Sequence, residues 1–293
     1  MDSRWLQRSV QFSAYPIFRK IVSGVILFSL YACVEMQIEI PLLGADFEFS
    51  QGVHTLLGIS LSMLLVFRNN SSYDRWWEGR KLWGQLVNTC RSLALLTTCQ
   101  SQLEKSEKAA ALALIRSFPF ELRDHLRGPW PASYNQPVHT LAEMMKIYGR
   151  WDFEGKLHHN NFFRVEHHLT ELSNVMGACE RIRSTPLPLS HRAIIPQVLV
   201  AYLLALPWGL PDHLTSILIE AVMAYFLISL EVVSEMLEEP FGSDSDDLPL
   251  TRISKAIEKS VEQIGSFAWR GEAANSLVSA HSENQAVSNS STL

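Results

Sequence analysis

Residues 50–84 read SQGVHTLLGISLSMLLVFRNNSSYDRWWEGRKLWG, an apolar half that runs without a break into a half rich in charge, indole and hydroxyl. Ser50 to Phe67 contains no Asp, Glu, Lys or Arg and approaches the roughly 20 residues that a helix needs to cross a bilayer core. Arg68 ends the run. Asp74, Arg75, Glu78, Arg80 and Lys81 then follow closely, with Trp76, Trp77 and Trp83 among them. The stretch therefore reads as a membrane helix that meets an interface and continues past it.

The rest of the chain agrees with a membrane setting. Hydrophobic residues make up 47% of the 293 positions and charged residues 19%, below the roughly 25% charged content of ordinary soluble domains. The cations are sorted. Residues 21–67 and 193–251 contain no Lys or Arg, and all 25 lie in 1–20, 68–192 and 252–293. The positive-inside rule predicts this partition for a chain whose two termini and large central part stay in the cytoplasm of an inner-membrane protein. The short outer loops are acidic, with Glu35, Glu39, Asp46 and Glu48 in one and Asp212 in the other.

Six segments follow. Residues 1–20, where Trp5, Phe12, Tyr15 and Phe18 mix with Arg4, Arg8, Arg19 and Lys20, suit the inner membrane surface. Residues 21–84 hold the first two spans. Residues 85–192 form a cytosolic helical region: Leu86, Val87, Cys90, Leu93, Ala94 and Thr97 recur at helical spacing, Pro119 predicts a kink or break, residues 129–161 a looser connection, and 162–183 a further helix. Residues 193–232 supply two more spans, the second interrupted by Glu220. Residues 233–272 carry an acidic loop and a helix from Leu250 to about Phe267, and 273–293 is a disordered tail by composition. The fold class is thus an all-α membrane protein with four transmembrane helices per subunit and a helical cytosolic portion. Cys33, Cys90, Cys99 and Cys179 form no CxxC pair and read as buried free thiols.

Four spans cannot enclose a wide aqueous path, so conduction requires several subunits around an axis. Ile59, Met63 and Phe67 fall at i, i+4 and i+8 on one face of the second span. A ring of such side chains makes a neck that gates by dewetting; the competing reading of the stripe is contact with lipid or a neighbouring helix. Arg75, Trp76 and Trp77 mark the membrane–cytosol junction. Their competing reading is an aromatic belt, although the run from Asn69 to Asp74 is too polar for an anchor alone and points to a packed polar junction.

Asp244, Asp246 and Asp247 follow Gly242 closely. They read as an oxygen-rich cation loop or as a solvated acidic turn and helix cap. His158, His159, His167 and His168 do not converge as metal ligands on one helix. No GxGxxG, P-loop, HExxH or GxSxG occurs, and no nucleophile meets a base, so no catalytic site is expected.

Three blocks carry a resemblance: Leu57 to Gly84, GACERIRSTPLP at 177–188, and EEPFGSDSDDLPL at 238–250. The chain resembles a bacterial member of the bestrophin family, including its voltage-dependent anion channel-forming branch, and the likeness covers all but the tail. The resemblance implies a homopentamer with one central pore and a neck at Ile59, Met63 and Phe67, where Met63 replaces the bulkier aromatic of eukaryotic members. It implies a cytosolic aperture at Ile182. It also places Asp244 and Asp247 on positions that hold calcium in animal members, with Ser243 and Ser245 standing where those members have carboxylates.

The function expected is an ion channel passing small monovalent ions passively, chloride by resemblance. The alternatives are a cation-selective channel of the same architecture, a non-conducting scaffold or sensor, and a proton-coupled carrier using Glu220. The expected partners are permeant ions, the bilayer and further copies of the chain, with no nucleic acid. A divalent cation at the acidic loop is the one cofactor candidate.

Overall fold

The computed structural model describes residues 16–42, 51–100, 102–129, 134–210 and 214–267. The N-terminal lead-in before Pro16, the outer loop around Gly44, Asp212 and the tail lie outside the described residues. Within them the chain is helical: α1 (Pro16–Leu42), α2 (Gln51–Thr98), α3 (Lys105–Arg127), α4 (Gln136–Phe153), α5 (His159–Ser184), α6 (Leu189–Ala205), a 3-10 turn (Pro207–Gly209), α7 (Leu214–Glu238) and α8 (250–267). Two compact units result, one from the residues up to Trp76 and Pro186–Pro240, the other from Trp77–Thr185 and the residues from Phe241 onward.

In the first unit α1 packs along α7, with α6 against both. Phe28, Leu61, Leu65, Leu199, Leu203 and Leu227 are among the side chains of its core. Helix approach is close where small residues allow it. A Cβ on Gly24 would stand 2.8 Å from Cδ1 of Ile228, and one on Gly209 would collide with the His54 ring, so only glycine fits beneath that imidazole. Tyr31 Oη donates to the Leu204 carbonyl at 2.9 Å and accepts from Trp208 Nε1 at 3.1 Å, which satisfies two polar groups among apolar helices.

Three described helices are long and apolar enough to cross a membrane: α1, α2 and α7. α5 and α6, bent by 45° at a short break, supply a fourth candidate if read as one span. α6 alone, with Pro196 inside, is only 17 residues long.

The second unit is built from amphipathic helices. Trp83, Leu86, Cys90, Leu93 and Ala94 put one face of α2 into the core, at the spacing that the sequence displays. α3 runs through Pro119 without a break. Phe118 and Pro119 are both buried and the Pro119 carbonyl accepts from Ser254 Oγ at 3.2 Å, so tertiary packing outweighs the lost helical N–H. Residues 136–153 form α4 instead of a loose connection. Asn135, of a residue type that disfavours helix interiors, is its N-cap, accepting from Val138 N at 3.3 Å, and Pro137 fits the first turn, where its missing N–H costs nothing. Pro137, Thr140, Met144, Tyr148 and Trp151 are buried at steps of three and four. Cys99 departs from the buried-thiol expectation and is exposed, whereas Cys90 and Cys179 are buried.

Two side-chain networks of this unit are testable. Asn135 also donates to Glu180 Oε1 at 2.8 Å, which His125 Nε2 engages at the same distance. Asn135→Ala should therefore cost about 1 kcal/mol or somewhat more in thermal unfolding. Lys156 Nζ sits 2.7 Å from Glu107 Oε1; its hydrogen bond, followed by that of the Glu104 backbone, holds the Glu107 carboxyl below the usual range, and Glu107 in turn raises Lys156. The pair's contribution is thus full between the unfolded values, about 4.3 and 10.4, and is lost as pH falls through the depressed Glu107 value or rises through the elevated Lys156 value. Lys156→Ala should flatten the acid side of a melting-temperature–pH profile.

Candidate functional site

The membrane part of α2 has two faces. His54, Leu61, Leu65, Arg68 and Ser72 are buried and cluster within about 60° of one another at 100° per residue. Ile59, Met63 and Phe67 are 62%, 59% and 52% exposed and lie on the opposite side of the helix by the same rotation. The stripe thus points away from its own subunit. Ser60 and Ser62 beside it donate to the carbonyls of Leu56 and Gly58 at 2.8 and 2.7 Å, so their hydroxyls are satisfied inside the helix. Between α2 and its neighbours lies a cavity of about 400 Å³ lined by His54, Ile59, Tyr202 and Met223 among others.

One residue beyond the stripe, the environment becomes ionic. Arg68 is 3% exposed; its Nη2 meets Glu231 Oε1 at 3.0 Å and its Nη1 donates to the Arg192 carbonyl at 3.3 Å. Arg192 Nε reaches Glu238 Oε1 at 3.4 Å, which also accepts from Leu187 N at 3.2 Å. Arg75 Nε donates to the Glu238 carbonyl at 3.1 Å, and Ser234 Oγ to Asn69 Oδ1 at 3.4 Å. This is the packed polar junction expected after Phe67, and it ties α2 to the start of α6 and the end of α7. Sequence reasoning missed the partners. Glu231, Ser234 and Glu238 fall at i, i+3 and i+7 on one face of α7, a spacing that could have found them. Of the aromatic residues at the junction, Trp76 stacks on Tyr73 with centroids 6.2 Å apart, and Trp77 is exposed.

Other singled-out residues are placed as follows. Ile182 is 3% exposed, turned into the core of its unit with Val175 and Cys179, so within one subunit its side chain lines no opening; Gly177 and Arg181 occupy the open face of α5 there. Glu220 is fully buried in α7, and neither carboxyl oxygen has a hydrogen-bond partner among the described residues. The acidic turn closes on itself: Asp247 Oδ2 accepts from Asp244 N at 2.6 Å and fills the space where a Cβ on Gly242 would stand. Among the described residues no group of three or more His, Cys, Asp or Glu converges as metal ligands. The turn thus caps itself ahead of α8 through the Asp247 carboxylate.

Known proteins share this fold and much of the sequence. The sequence matches the bacterial/fungal bestrophin family over residues 2–263. It is 32% identical over 269 residues, 85% of this chain and 88% of the relative, to a voltage-dependent anion channel-forming protein of Ralstonia nicotianae. It is 29% identical over 288 residues, 91% of this chain and 93% of the relative, to one of Escherichia coli. The structure is similar to the crystal structure of a point variant of a bacterial bestrophin homologue from Klebsiella pneumoniae, with a TM-score of 0.79 and 24% identity over 84% of this chain and 99% of that one. A second point variant of that homologue gives 0.75 and 25% over 85% and 98%. With its apolar helices, the family match over most of its length and these relatives, the chain is a membrane protein that belongs to the bestrophin family.

Proposed function

We propose that the chain is the subunit of a passive anion channel of the inner membrane, assembled as a homopentamer with α2 from each copy around one axis. The observation that carries this reading is the outward stripe of Ile59, Met63 and Phe67, opposite the buried face of α2, in a chain whose relatives are named anion channel-forming. Five such stripes make an apolar neck. Its conduction depends on whether water fills it. α6, with the turn that follows it, serves as the third of four spans, and the sorted cations keep both termini in the cytoplasm. The cytosolic narrowing belongs to the 177–188 block as a whole, not to the Ile182 side chain as it is packed.

Purified protein in a planar bilayer with asymmetric sodium chloride tests the reading. A reversal potential toward the chloride equilibrium supports it. One toward sodium establishes the cation-selective alternative, which the acidic outer loop favours because an apolar neck supplies no charge to discriminate. Absence of current leaves the scaffold.

A further inference from the structure

The second unit holds a cavity that conduction does not use. About 400 Å³ in volume, it is lined by Ser92, Leu95, Leu96, Cys99 and Gln100 at the end of α2 and by Asn161, Arg164 and His168 near the start of α5. Arg164 and His168 stand one turn apart on one face of α5. His168 is oriented: its Nδ1 lies 3.4 Å from Glu171 Oε2, which also accepts from Thr89 Oγ1 at 3.2 Å. A carboxylate only accepts, so Nδ1 carries the proton and Nε2 is left for another partner. No ion pair among the described residues engages Arg164.

The dipoles at the cavity also favour negative charge. α5 begins at His159 and presents its positive end. The negative end of α2 is masked, since Leu95 O accepts from Cys99 N at 3.1 Å and from Thr98 Oγ1 at 3.0 Å, and Leu96 O accepts from Gln100 Nε2 at 2.9 Å. Glu171, the carboxylate that His168 contacts, is engaged by Thr89, His168 and, at 3.7 Å, His167.

We propose that this cavity binds a small organic acid, its carboxylate on the Arg164 guanidinium and His168, and its apolar body against Leu95 and Leu96. The guanidinium fork matches a carboxylate in two parallel hydrogen bonds. The volume excludes a bare halide as the fitting occupant, being within the range of small-molecule sites and many times the roughly 30 Å³ of a water. The Asn161 and Gln100 amides, joined at 3.4 Å, form a polar edge.

Cys99 reports occupancy. In the full-length protein in detergent, its alkylation by N-ethylmaleimide is followed by peptide mass spectrometry with added benzoate or its neutral analogue benzyl alcohol. Benzoate at ten times its dissociation constant should slow Cys99 about tenfold, with benzyl alcohol ineffective and Cys33 unaffected. The protection should vanish in Arg164→Ala, an exposed position whose loss leaves the core intact. Equal protection by both compounds, no protection, or protection that persists in R164A overturns the proposal. Reversal potentials do not enter, so the outcome is independent of the channel reading.

Discussion

Replacing Ile59, Met63 and Phe67 together with alanine will raise ion flux through reconstituted protein by about tenfold or more, the change given by a barrier lower by roughly 1.4 kcal/mol. Each alanine removes most of a large side chain from a helix face that packs little within its own subunit, since all three are more than half exposed and only Ile59 borders the cavity beside Tyr202. The neck widens and holds water more readily, and the dewetting barrier falls. Folding should be little affected, because the buried face of Leu61 and Leu65 is untouched. Flux measured in liposomes loaded with a chloride-sensitive dye decides it. Unchanged flux places the stripe against lipid and removes the neck.

The outward apolar stripe and the long α2 were legible in the sequence because both are local patterns: a charge-free run, then apolar residues at helical spacing, with nothing in between that stops a helix. The Arg68 junction was half legible. Its polar run announced a packed site, and Glu231, Ser234 and Glu238 share one face of α7, yet that this face meets Arg68 and Arg192 follows from the return of the chain, which no local spacing encodes. α4 was obscured by Pro137 and Asn135, residues that break a helix in its interior and begin one at its end. For Ile182 the limit is different. Periodicity identifies the apolar side of α5, but only the packing of the other helices shows that this side faces the core.

The buried pair one residue past the Ile59, Met63 and Phe67 stripe sets the second large effect. Arg68 and Glu231 have side chains only 3% and 16% exposed and meet at 3.0 Å, so water screens the pair little. Arg68→Met should lower unfolding stability by about 3–5 kcal/mol, because the Glu231 charge is left in the interior without its counterion. Glu231→Leu should cost as much, stranding the guanidinium beside the Arg192 carbonyl that it now engages. Joining Arg68→Met with Glu231→Leu should recover most of the loss, since two apolar side chains of similar volume remove both desolvation penalties at once. Thermal unfolding of the detergent-solubilised variants measures this as a double-mutant cycle. If each single variant costs less than about 1 kcal/mol, the pair behaves as a surface bridge and Arg68 does not anchor the neck. If the double variant is stable yet its neck leaks, the ion pair serves register between α2 and α7 instead of stability, and movement of α7 has a direct route to Phe67.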